Sequence, residues 1–224
     1  MEVLSVIPAR GGSKGIPMKN LVILNKKPLL YYTIKASLNS VINRTVVSTD
    51  NKKIASKAKQ FGAEVVYRPK NLSNDTIQIE PIIAHTLDYL KEKEGYVPDI
   101  VILLQNTSPL RTSTHINEAL SLFKRGRYDS VFSGFNSHYL LWKRSENTTL
   151  PVNYNPFKRP NRQEMKGQFI ENGAIYITKY QFFKKNNCRM SGKIGVYEMP
   201  QKFSVQIDTR DDLMFAEMIL RRVR

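Results

Sequence analysis

The chain has 224 residues, 41% of them apolar, and a formal net charge of +16. The apolar fraction excludes a disordered chain, and the length predicts a single domain, residues 1–224, with a sizeable core. No apolar run reaches the roughly 18 residues that a membrane-spanning helix needs. Cys188 is the single cysteine, so no internal disulfide can form and an ordinary reduced thiol is predicted.

The positive charge predicts an anionic partner, which leaves nucleic acid, an anionic membrane surface and anionic small molecules as classes. Lys and Arg are scattered along the whole chain rather than concentrated in a stripe, and no nucleic-acid-binding motif accompanies them. We therefore expect small anionic substrates and neither a nucleic-acid nor a membrane partner. The amino terminus begins directly with a strand pattern and shows no secretory-type segment, so we expect a cytoplasmic protein.

Strand-like runs alternate with helical patterns along most of the chain. Strands are predicted at 3–9, 45–49, 64–67, 99–104, 130–132, 175–177 and 195–199, and helices at 28–39, 52–61, 80–93, 114–124 and 211–222. Asp50 stands where the N-cap of the second helix is expected, and Gly62 ends that helix. This alternation predicts an α/β fold with parallel strands, whose ligand site lies beyond the carboxyl ends of the strands where the winding reverses.

The first predicted strand runs directly into a glycine-rich, cationic loop, residues 10–20. Its glycines let a ligand approach the backbone closely and leave N–H groups free to bind it. Arg10, Lys14 and Lys19 add positive charge beside those groups. The spacing matches neither the Walker nor the Rossmann phosphate motif. The loop predicts a polyphosphate site, and the alternative that its glycines serve only the turn stays open.

Polar loops also follow two other predicted strands, at 68–75 and 105–111, so the same sheet edge should collect them. Just before the last helix, Thr209 and Asp212 have capping-box spacing, which predicts a capping role for Asp211 and Asp212. Asp208 precedes that cap and is predicted to bind Mg²⁺, which takes one or two carboxylates plus phosphate oxygens. The histidines lack metal-ligand spacing.

Residues 138–168 differ from the rest of the chain, since they are polar, interrupted by prolines and dotted with aromatic side chains. A segment of this length with no helical period is not typical of an idle loop. It is predicted to be a protruding arm that packs against another subunit.

Six motifs occur in an order that resembles the acylneuraminate cytidylyltransferases, the CMP-sialic acid synthetases, over nearly the whole chain. They are residues 7–20 (IPARGGSKGIPMKN), 47–50 (VSTD), 68–69 (RP), 104–111 (LQNTSPLR), 171–176 (ENGAIY) and 207–209 (IDT). The arm sequence PFKRPNRQE at 156–164 is most similar to the branch that includes the animal enzymes.

The resemblance implies a Rossmann-like, mostly parallel sheet with helices on both faces, and a cytoplasmic, Mg²⁺-dependent homodimer with shared active sites. It also implies a reaction in which the anomeric hydroxyl of a sialic-acid-like nine-carbon 2-keto acid attacks the α-phosphorus of CTP and pyrophosphate leaves. Positioned cations and a metal stabilise the charge that nucleotidyl transfer builds on phosphate oxygens.

The resemblance also implies the site residues. Nucleotide binding is expected from Arg10, Gly11, Gly12, Ser13, Lys14, Lys19, Asn20 and Arg68. Sugar binding is expected from Gln105, Asn172, Tyr176, Arg159, Arg162 and Gln163, the last three reaching into the neighbouring subunit's site. Catalytic roles fall to Lys19, Arg10, Arg162 and Asp208, with Asp208 as the metal ligand. For Arg159 and Arg162, a role in surface solubility alone is the open alternative.

Four positions depart from the family pattern. Gln206 replaces an acidic residue, which puts a second metal ligand in doubt, because an amide binds Mg²⁺ more weakly than a carboxylate. Ile77 and Ile79 replace serines that help recognise the nucleotide, so the base contact must differ or come from the backbone. Asn161 replaces an arginine of the arm.

Two alternatives remain open. The acceptor could be another 2-keto sugar acid, such as legionaminic, pseudaminic or 3-deoxy-octulosonic acid. The chain could instead be a non-catalytic nucleotide- or nucleic-acid-binding protein that has kept the fold, with Gln206 as a trace of lost metal binding.

Overall fold

The computed structural model describes residues 1–13, 15–165 and 167–223. Within these ranges the strands form one seven-stranded sheet and two small hairpins, β2–β3 and β8–β9. In chain order the strands are β1 (Val3–Pro8), β2 (Ile23–Leu24), β3 (Lys27–Pro28), β4 (Arg44–Thr49), β5 (Glu64–Tyr67), β6 (Ile100–Leu103), β7 (Ser130–Asn136), β8 (Trp142–Arg144), β9 (Thr149–Pro151), β10 (Phe169–Lys179) and β11 (Ile194–Glu198).

Helices connect many of these strands. They are α1 (Leu29–Leu38), α2 (Lys52–Gln60), α3 (Ile79–Glu94), α4 (Ser113–Arg125), α5 (Tyr180–Asn186) and α6 (Arg210–Val223). Short 3-10 turns lie at Lys19–Leu21, Lys70–Leu72, Pro156–Lys158, Arg162–Glu164 and Gln201–Phe203. No helix in the described part of the chain has the length and hydropathy of a membrane span.

The seven-stranded sheet has the order β11-β7-β10-β6-β1-β4-β5. β1 is parallel to β4 and to β6, β4 is parallel to β5, and β7 is parallel to β11. β10 runs antiparallel to both of its neighbours, β6 and β7. The predicted mostly parallel α/β sheet is confirmed.

Helices cover both faces of the sheet because successive side chains of a strand point to opposite faces. In β1, Val3 and Ile7 belong to one core, whereas Leu4 and Val6 belong to the other. Helices α1, α2 and α4 complete the first core, and α3 and α5 complete the second. Each fully buried Val, Leu or Ile side chain contributes about 1.5–3 kcal/mol of hydrophobic stabilisation, so both layers stabilise the sheet.

The winding of the sheet reverses at β1. The chain runs from β1 to β4 and then β5 on one side, and afterwards returns through α3 to place β6 on the other side of β1. The carboxyl ends of these four parallel strands therefore meet at one sheet edge. This is the position at which α/β sheets bind ligands.

A third, smaller core joins the glycine-rich loop to the last helix. Ile16 of the loop, Leu110, Ile207 and Ala216 of α6 are all buried in it. In addition, the N–H of Ile207 donates to the carbonyl of Thr107 at 2.8 Å. These contacts bring three segments that are distant in sequence to the same sheet edge.

The strands and helices expected from the sequence are all present, with shifts of a few residues at several ends. The N-cap prediction for Asp50 is wrong. Asn51 caps α2, and its side chain accepts from the N–H groups of Lys53 at 2.9 Å and Ile54 at 3.2 Å. The Asp50 carboxylate instead accepts from the N–H of Gly11 at 2.9 Å, a tertiary contact that local sequence does not reveal.

The capping prediction at the last helix is confirmed for Asp212. Its carboxylate accepts from the N–H of Thr209 at 2.7 Å, and the Asp212 N–H donates to the Thr209 hydroxyl at 3.2 Å. Asp211 lies in the same first turn of α6. The N–H of Asp208 also donates to the Asp212 carboxylate at 3.0 Å, while the Asp208 carboxylate contacts Lys19.

The arm, residues 138–168, carries the β8–β9 hairpin and two of the 3-10 turns. Its apolar side chains are largely exposed: Trp142 is 50% exposed, Leu150 54% and Phe157 98%. Within the arm, Trp142 contacts Tyr154 edge-on, with ring centroids 5.7 Å apart. The arm therefore presents apolar surface that the rest of the described chain does not cover.

Candidate active site

A cavity of about 720 Å³ opens at the sheet edge where the winding reverses. We call it the sheet-edge cavity. Residues that follow β1, β5 and β6, together with the segment before α6, line it. They are Pro8, Arg10, Ser13, Gly15, Lys19 and Asn20; Arg68, Leu72, Asn74, Asp75, Ile77, Ile79 and Ile82; Gln105, Asn106 and Thr107; and Gln206 and Asp208.

Buried amides hold the glycine-rich loop in its shape. The Nδ2 group of Asn20 donates to the carbonyl of Arg10 at 2.7 Å, and the Nδ2 group of Asn106 donates to Oδ1 of Asn20 at 2.6 Å. Asn20 and Asn106 are only 8% and 4% exposed. The loop after β1 is thus tied to the loop after β6, and Asn20 acts in this structure as a brace of the cavity wall.

The glycines of this loop have different reasons to be glycine. A Cβ at Gly11 would lie 2.6 Å from the side-chain amide of Asn51, and a Cβ at Gly15 would clash with the backbone oxygen of Asp208. A Cβ at Gly12 would meet nothing within 4 Å. Gly11 and Gly15 therefore permit close packing of the loop, whereas Gly12 has open space where a side chain would lie; neither Gly11 nor Gly12 belongs to the described lining of the cavity.

Lys19 and Asp208 meet across the cavity. The Nζ of Lys19 lies 2.9 Å from Oδ1 of Asp208 and donates to the carbonyl of Ile207 at 3.0 Å. The Lys19 side chain is 16% exposed, whereas that of Asp208 is 69% exposed. The lysine is therefore held in place, and the carboxylate keeps most of its surface available to a ligand.

Two arginines add to the positive charge of the cavity. Arg10 pairs with Asp75 of the loop after β5. Arg68 is 5% exposed and donates from Nε to the Ser73 hydroxyl at 3.2 Å, while its buried Nη1 has no hydrogen-bond partner among the described residues. Burial, with some repulsion from Arg10, lowers the pKa of Arg68 from its ordinary value. An anion placed in the cavity would offset that cost.

Gln105 lines the cavity at the carboxyl end of β6. Gly173, in β10, lies directly against it, since a Cβ at Gly173 would be 2.5 Å from Oε1 of Gln105 and 3.2 Å from Nε2 of Gln206. Gly173 has a φ of +66°, a conformation that L side chains rarely adopt. The two glutamine side chains therefore share one wall, which β10 supports.

The structure does not place Asn172 or Tyr176 among the residues that line the cavity. The Asn172 side chain is buried, accepts from the Ser133 hydroxyl at 2.6 Å and donates to the Ser204 hydroxyl at 2.9 Å. The Tyr176 hydroxyl donates to Glu171 at 2.8 Å. Both residues support β10, and direct contact of either with a sugar stays a prediction.

The arm residues line other hollows. Arg159 and Arg162 face one hollow with His138 and Met165, and Arg162 and Gln163 face a second with the same two residues. None of the three belongs to the described lining of the sheet-edge cavity in the same chain. Lys14, the remaining predicted phosphate ligand, lies outside the described residues.

Sequence reasoning missed Asp75 and Asn106 as parts of the site. Asp75 pairs with Arg10, and Asn106 positions Asn20. Both lie in polar loops that follow predicted strands, which was the available signal. Their partners could not be deduced, because each contact joins two loops that only the sheet order brings together.

The fold and the site define the class of this protein. It is a Rossmann-like α/β protein with a cavity lined by Arg10, Lys19 and Arg68 at the reversal point of its sheet. The sequence profile of one family, described as "Cytidylyltransferase", matches residues 4–221. The chain therefore belongs to the cytidylyltransferase family.

Curated relatives are similar over nearly the whole chain. The N-acylneuraminate cytidylyltransferase A of Danio rerio is 37% identical over 99% of this chain and 51% of its own length. The N-acylneuraminate cytidylyltransferase of Streptococcus agalactiae serotype V is 31% identical over 96% of this chain and 52% of its own length. The chain thus spans about half the length of the curated relatives it matches.

Two solved structures share the fold. One is a CMP:2-keto-3-deoxy-manno-octonic acid synthetase complexed with CTP, with a TM-score of 0.72, 16% identity and full coverage of both chains. The other is a 4-diphosphocytidyl-2C-methyl-D-erythritol synthase from Anaerococcus prevotii, with a TM-score of 0.69, 13% identity and 99% coverage of both chains. At these identities the likeness concerns the fold alone.

Proposed function

We propose that this chain transfers CMP from CTP to the anomeric hydroxyl of a sialic-acid-like nine-carbon 2-keto sugar acid and releases pyrophosphate. The observation that carries the proposal is the convergence of Arg10, Lys19 and Arg68 on one cavity at the reversal point of the sheet. The names of the curated relatives support CTP and an N-acylneuraminic acid as the substrates.

The chain's own residues account for the phosphate half of the reaction. Arg10, Ser13 and Lys19, with the open backbone at Gly12, would bind the triphosphate. Cations that are held in place before the reaction stabilise the charge that grows on phosphate oxygens without reorganising. Lys19 is held by its contacts to Ile207 and Asp208, so its ammonium group is already directed at the cavity.

The residues present also fit Mg²⁺. Asp208 offers an exposed carboxylate on the cavity wall, and Gln206 lines the same wall. Mg²⁺ often binds through one or two carboxylates together with substrate phosphates, so Asp208 and the triphosphate form a suitable donor set. When bound there, the ion would neutralise charge on the phosphate oxygens and align the α-phosphorus for attack.

The base half of the cavity has an apolar wall. Ile77 and Ile79 line it, where the family pattern has serines. The Oδ1 atom of Asn74 accepts from the N–H groups of Thr76 and Ile77, at 3.1 Å each, and so orders this turn. We propose that the cytosine ring packs against the two isoleucines and that backbone groups read its edge.

We propose that the arm completes the site of a second copy in a cytoplasmic homodimer. Arg159, Arg162 and Gln163 do not face the cavity of their own chain, and the arm exposes Phe157 almost completely. An arginine fork binds a carboxylate through two parallel hydrogen bonds, which suits the acid group of a 2-keto sugar acid. The arm of one subunit would supply that fork to its neighbour.

The test is pyrophosphate release by the purified chain with Mg²⁺, CTP and N-acetylneuraminic acid. Legionaminic, pseudaminic and 3-deoxy-octulosonic acids run in parallel, as do ATP, GTP and UTP with each acid. We expect turnover with CTP and N-acetylneuraminic acid. Turnover with a different acid would retain the reaction and replace the acceptor, whereas silence across the panel in folded protein that still binds CTP would favour a non-catalytic nucleotide-binding relative.

A further inference from the structure

Arg111, between β6 and α4, is buried without a neutralising carboxylate among the described residues. It is 2% exposed, and its Nε and Nη2 groups have no hydrogen-bond partner in the described part of the chain. Burial lowers the pKa of Arg111 to about 9. A buried cation without a counter-ion costs stability, so a neutral side chain would suit a purely structural role better.

The two hydrogen bonds of the Arg111 side chain are both to backbone carbonyls of the cavity wall. Its Nη1 group donates to the carbonyl of Gln105 at 3.1 Å and to the carbonyl of Ala174 at 2.9 Å. Gln105 lies in the loop that follows β6, and Ala174 lies in β10. One guanidinium nitrogen therefore fastens the loop after β6 to its neighbouring antiparallel strand.

The point on β10 that Arg111 holds is irregular. The pairing of β10 with β7 shifts register between Glu171 and Tyr176. Gly173 lies inside this irregularity with a φ of +66°, and a Cβ added to it would lie 2.5 Å from the Gln105 side-chain oxygen. A bulge of this kind bends a strand and redirects side chains near functional sites. Gln105 thus rests on a surface whose position depends on Ala174.

We propose that Arg111 is a positioning residue that sets the Gln105 side chain at the sugar-acid end of the sheet-edge cavity. The inference rests on the proposed function, in which Gln105 contacts the sugar acid. Arg111 does not itself belong to the described lining of the cavity. Its effect passes through the backbone carbonyls of Gln105 and Ala174, and through Gly173, which lies against the Gln105 side chain.

The test compares Arg111→Met and Arg111→Ala with the unchanged chain in steady-state kinetics with both substrates. We expect the KM for the sugar acid to rise about tenfold to a hundredfold, because a misplacement of about 1 Å costs up to that factor. The KM for CTP should change less than about twofold, since the phosphate ligands lie on the glycine-rich loop, which is tied to the loop after β6 through Asn106 rather than Gln105. Added guanidinium ion at millimolar concentration should restore part of the sugar-acid affinity in Arg111→Ala.

Arg44→Met is the matched control, because Arg44 pairs at the surface with Glu64 and Glu94, away from the described cavity lining. It should leave both KM values unchanged. If the Arg111 variants do not fold, Gly173→Ala tests the same wall, since its Cβ would displace Gln105 while Arg111 stays. This variant should raise the KM for the sugar acid in the same way.

An unchanged KM for the sugar acid in folded Arg111→Met, or in Gly173→Ala where the arginine variants do not fold, would overturn the inference. Equal increases for both substrates would also overturn it, because they would indicate a general structural role. Failure of the proposed function is seen separately, as absence of both turnover and sugar-acid binding in the unchanged chain. That result would overturn the positioning role together with the reaction it serves.

Discussion

The sheet-edge cavity and the arm both contain polar and cationic residues, but the cavity holds such side chains by hydrogen bonds whereas the arm exposes much of its surface. In the cavity, Lys19 and Asn20 are held by hydrogen bonds from three different segments of the chain. In the arm, Phe157 is 98% exposed, and neither Arg159 nor Arg162 belongs to the described lining of the cavity. The cavity is organised within one chain, whereas the arm leaves large apolar side chains exposed in that chain.

This difference teaches where positional accuracy comes from. A side chain held by buried hydrogen bonds loses its freedom during folding, so a ligand need not order it. An exposed arm must be ordered by whatever it binds, and that cost falls on association. We therefore expect substitutions in the cavity to act on chemistry and substitutions of the exposed apolar side chains of the arm to act first on assembly.

The largest effect is expected from Lys19→Ala. Loss of one held cation at the phosphates should lower kcat/KM for CTP by about 10²–10³-fold, the range seen when one stabilising donor is removed. Thermal unfolding should show that the fold survives, because the sheet cores do not involve this side chain. The exposed Lys57→Ala is the control and should behave as the unchanged chain does. Normal kinetics in folded Lys19→Ala would remove the loop from the site.

A mixing experiment tests whether the arm of one subunit completes the cavity of another. Lys19→Ala and Arg162→Ala proteins are each expected to be nearly inactive, because each variant lacks one required side chain at both sites of its dimer. Random exchange of subunits should restore on the order of a quarter of the activity, since half of the dimers are mixed and each has one intact site. Verified mixed dimers that stay inactive would show that the arm does not complete the neighbouring site.

Assembly itself can be broken at the arm. Phe157→Ser should convert a dimer to a folded monomer at micromolar concentration, because a large apolar side chain would lose its burial against the second copy. Light scattering coupled to size exclusion measures the mass. Phe215→Ser on α6 is the matched control, since Phe215 is also exposed, at 59%, outside the arm. Equal masses for both variants and the unchanged chain would contradict the assignment of the arm as the interface.

The smallest effect concerns pH. His115 in the first turn of α4 accepts a hydrogen bond at Nδ1 from the N–H of Thr112 at 3.2 Å, which requires a neutral ring. Burial lowers the pKa of His115 below its ordinary value of 6.5. The unfolded chain then binds the proton more readily, so this stabilisation is complete above pH 6.5 and is lost as the pH falls through the lower, folded pKa.

The loss should amount to about 1 kcal/mol, the typical value of a helix cap. Denaturant unfolding between pH 7 and pH 5 measures it, and His115→Gln should show a weaker pH dependence than the unchanged chain. His138→Gln, an exposed position in the arm, is the control and should leave the pH dependence as it is. An identical pH dependence in all three proteins would contradict the role of His115.

Local patterns determined the elements and the edge of the sheet at which the site lies. Buried apolar runs predicted the strands of the sheet, and their alternation with helices predicted parallel pairing, because a crossover helix between strands permits little else. The cationic loop after β1 was also predictable from the sequence, since glycines and basic residues at a strand end are a local signal. The cap formed by Thr209 and Asp212 also depends only on neighbours in the sequence.

Contacts between distant segments decided the rest. The order of the strands in the sheet determines which loops meet. It places Asp50 against Gly11 instead of at the N-cap of α2, Asn20 against Asn106, and Lys19 against Asp208. Burial of Arg111 beside the irregular part of β10 has the same origin. Sequence periodicity records which face of an element is buried, but it does not record which loop will lie opposite, and that is settled only when the cores pack.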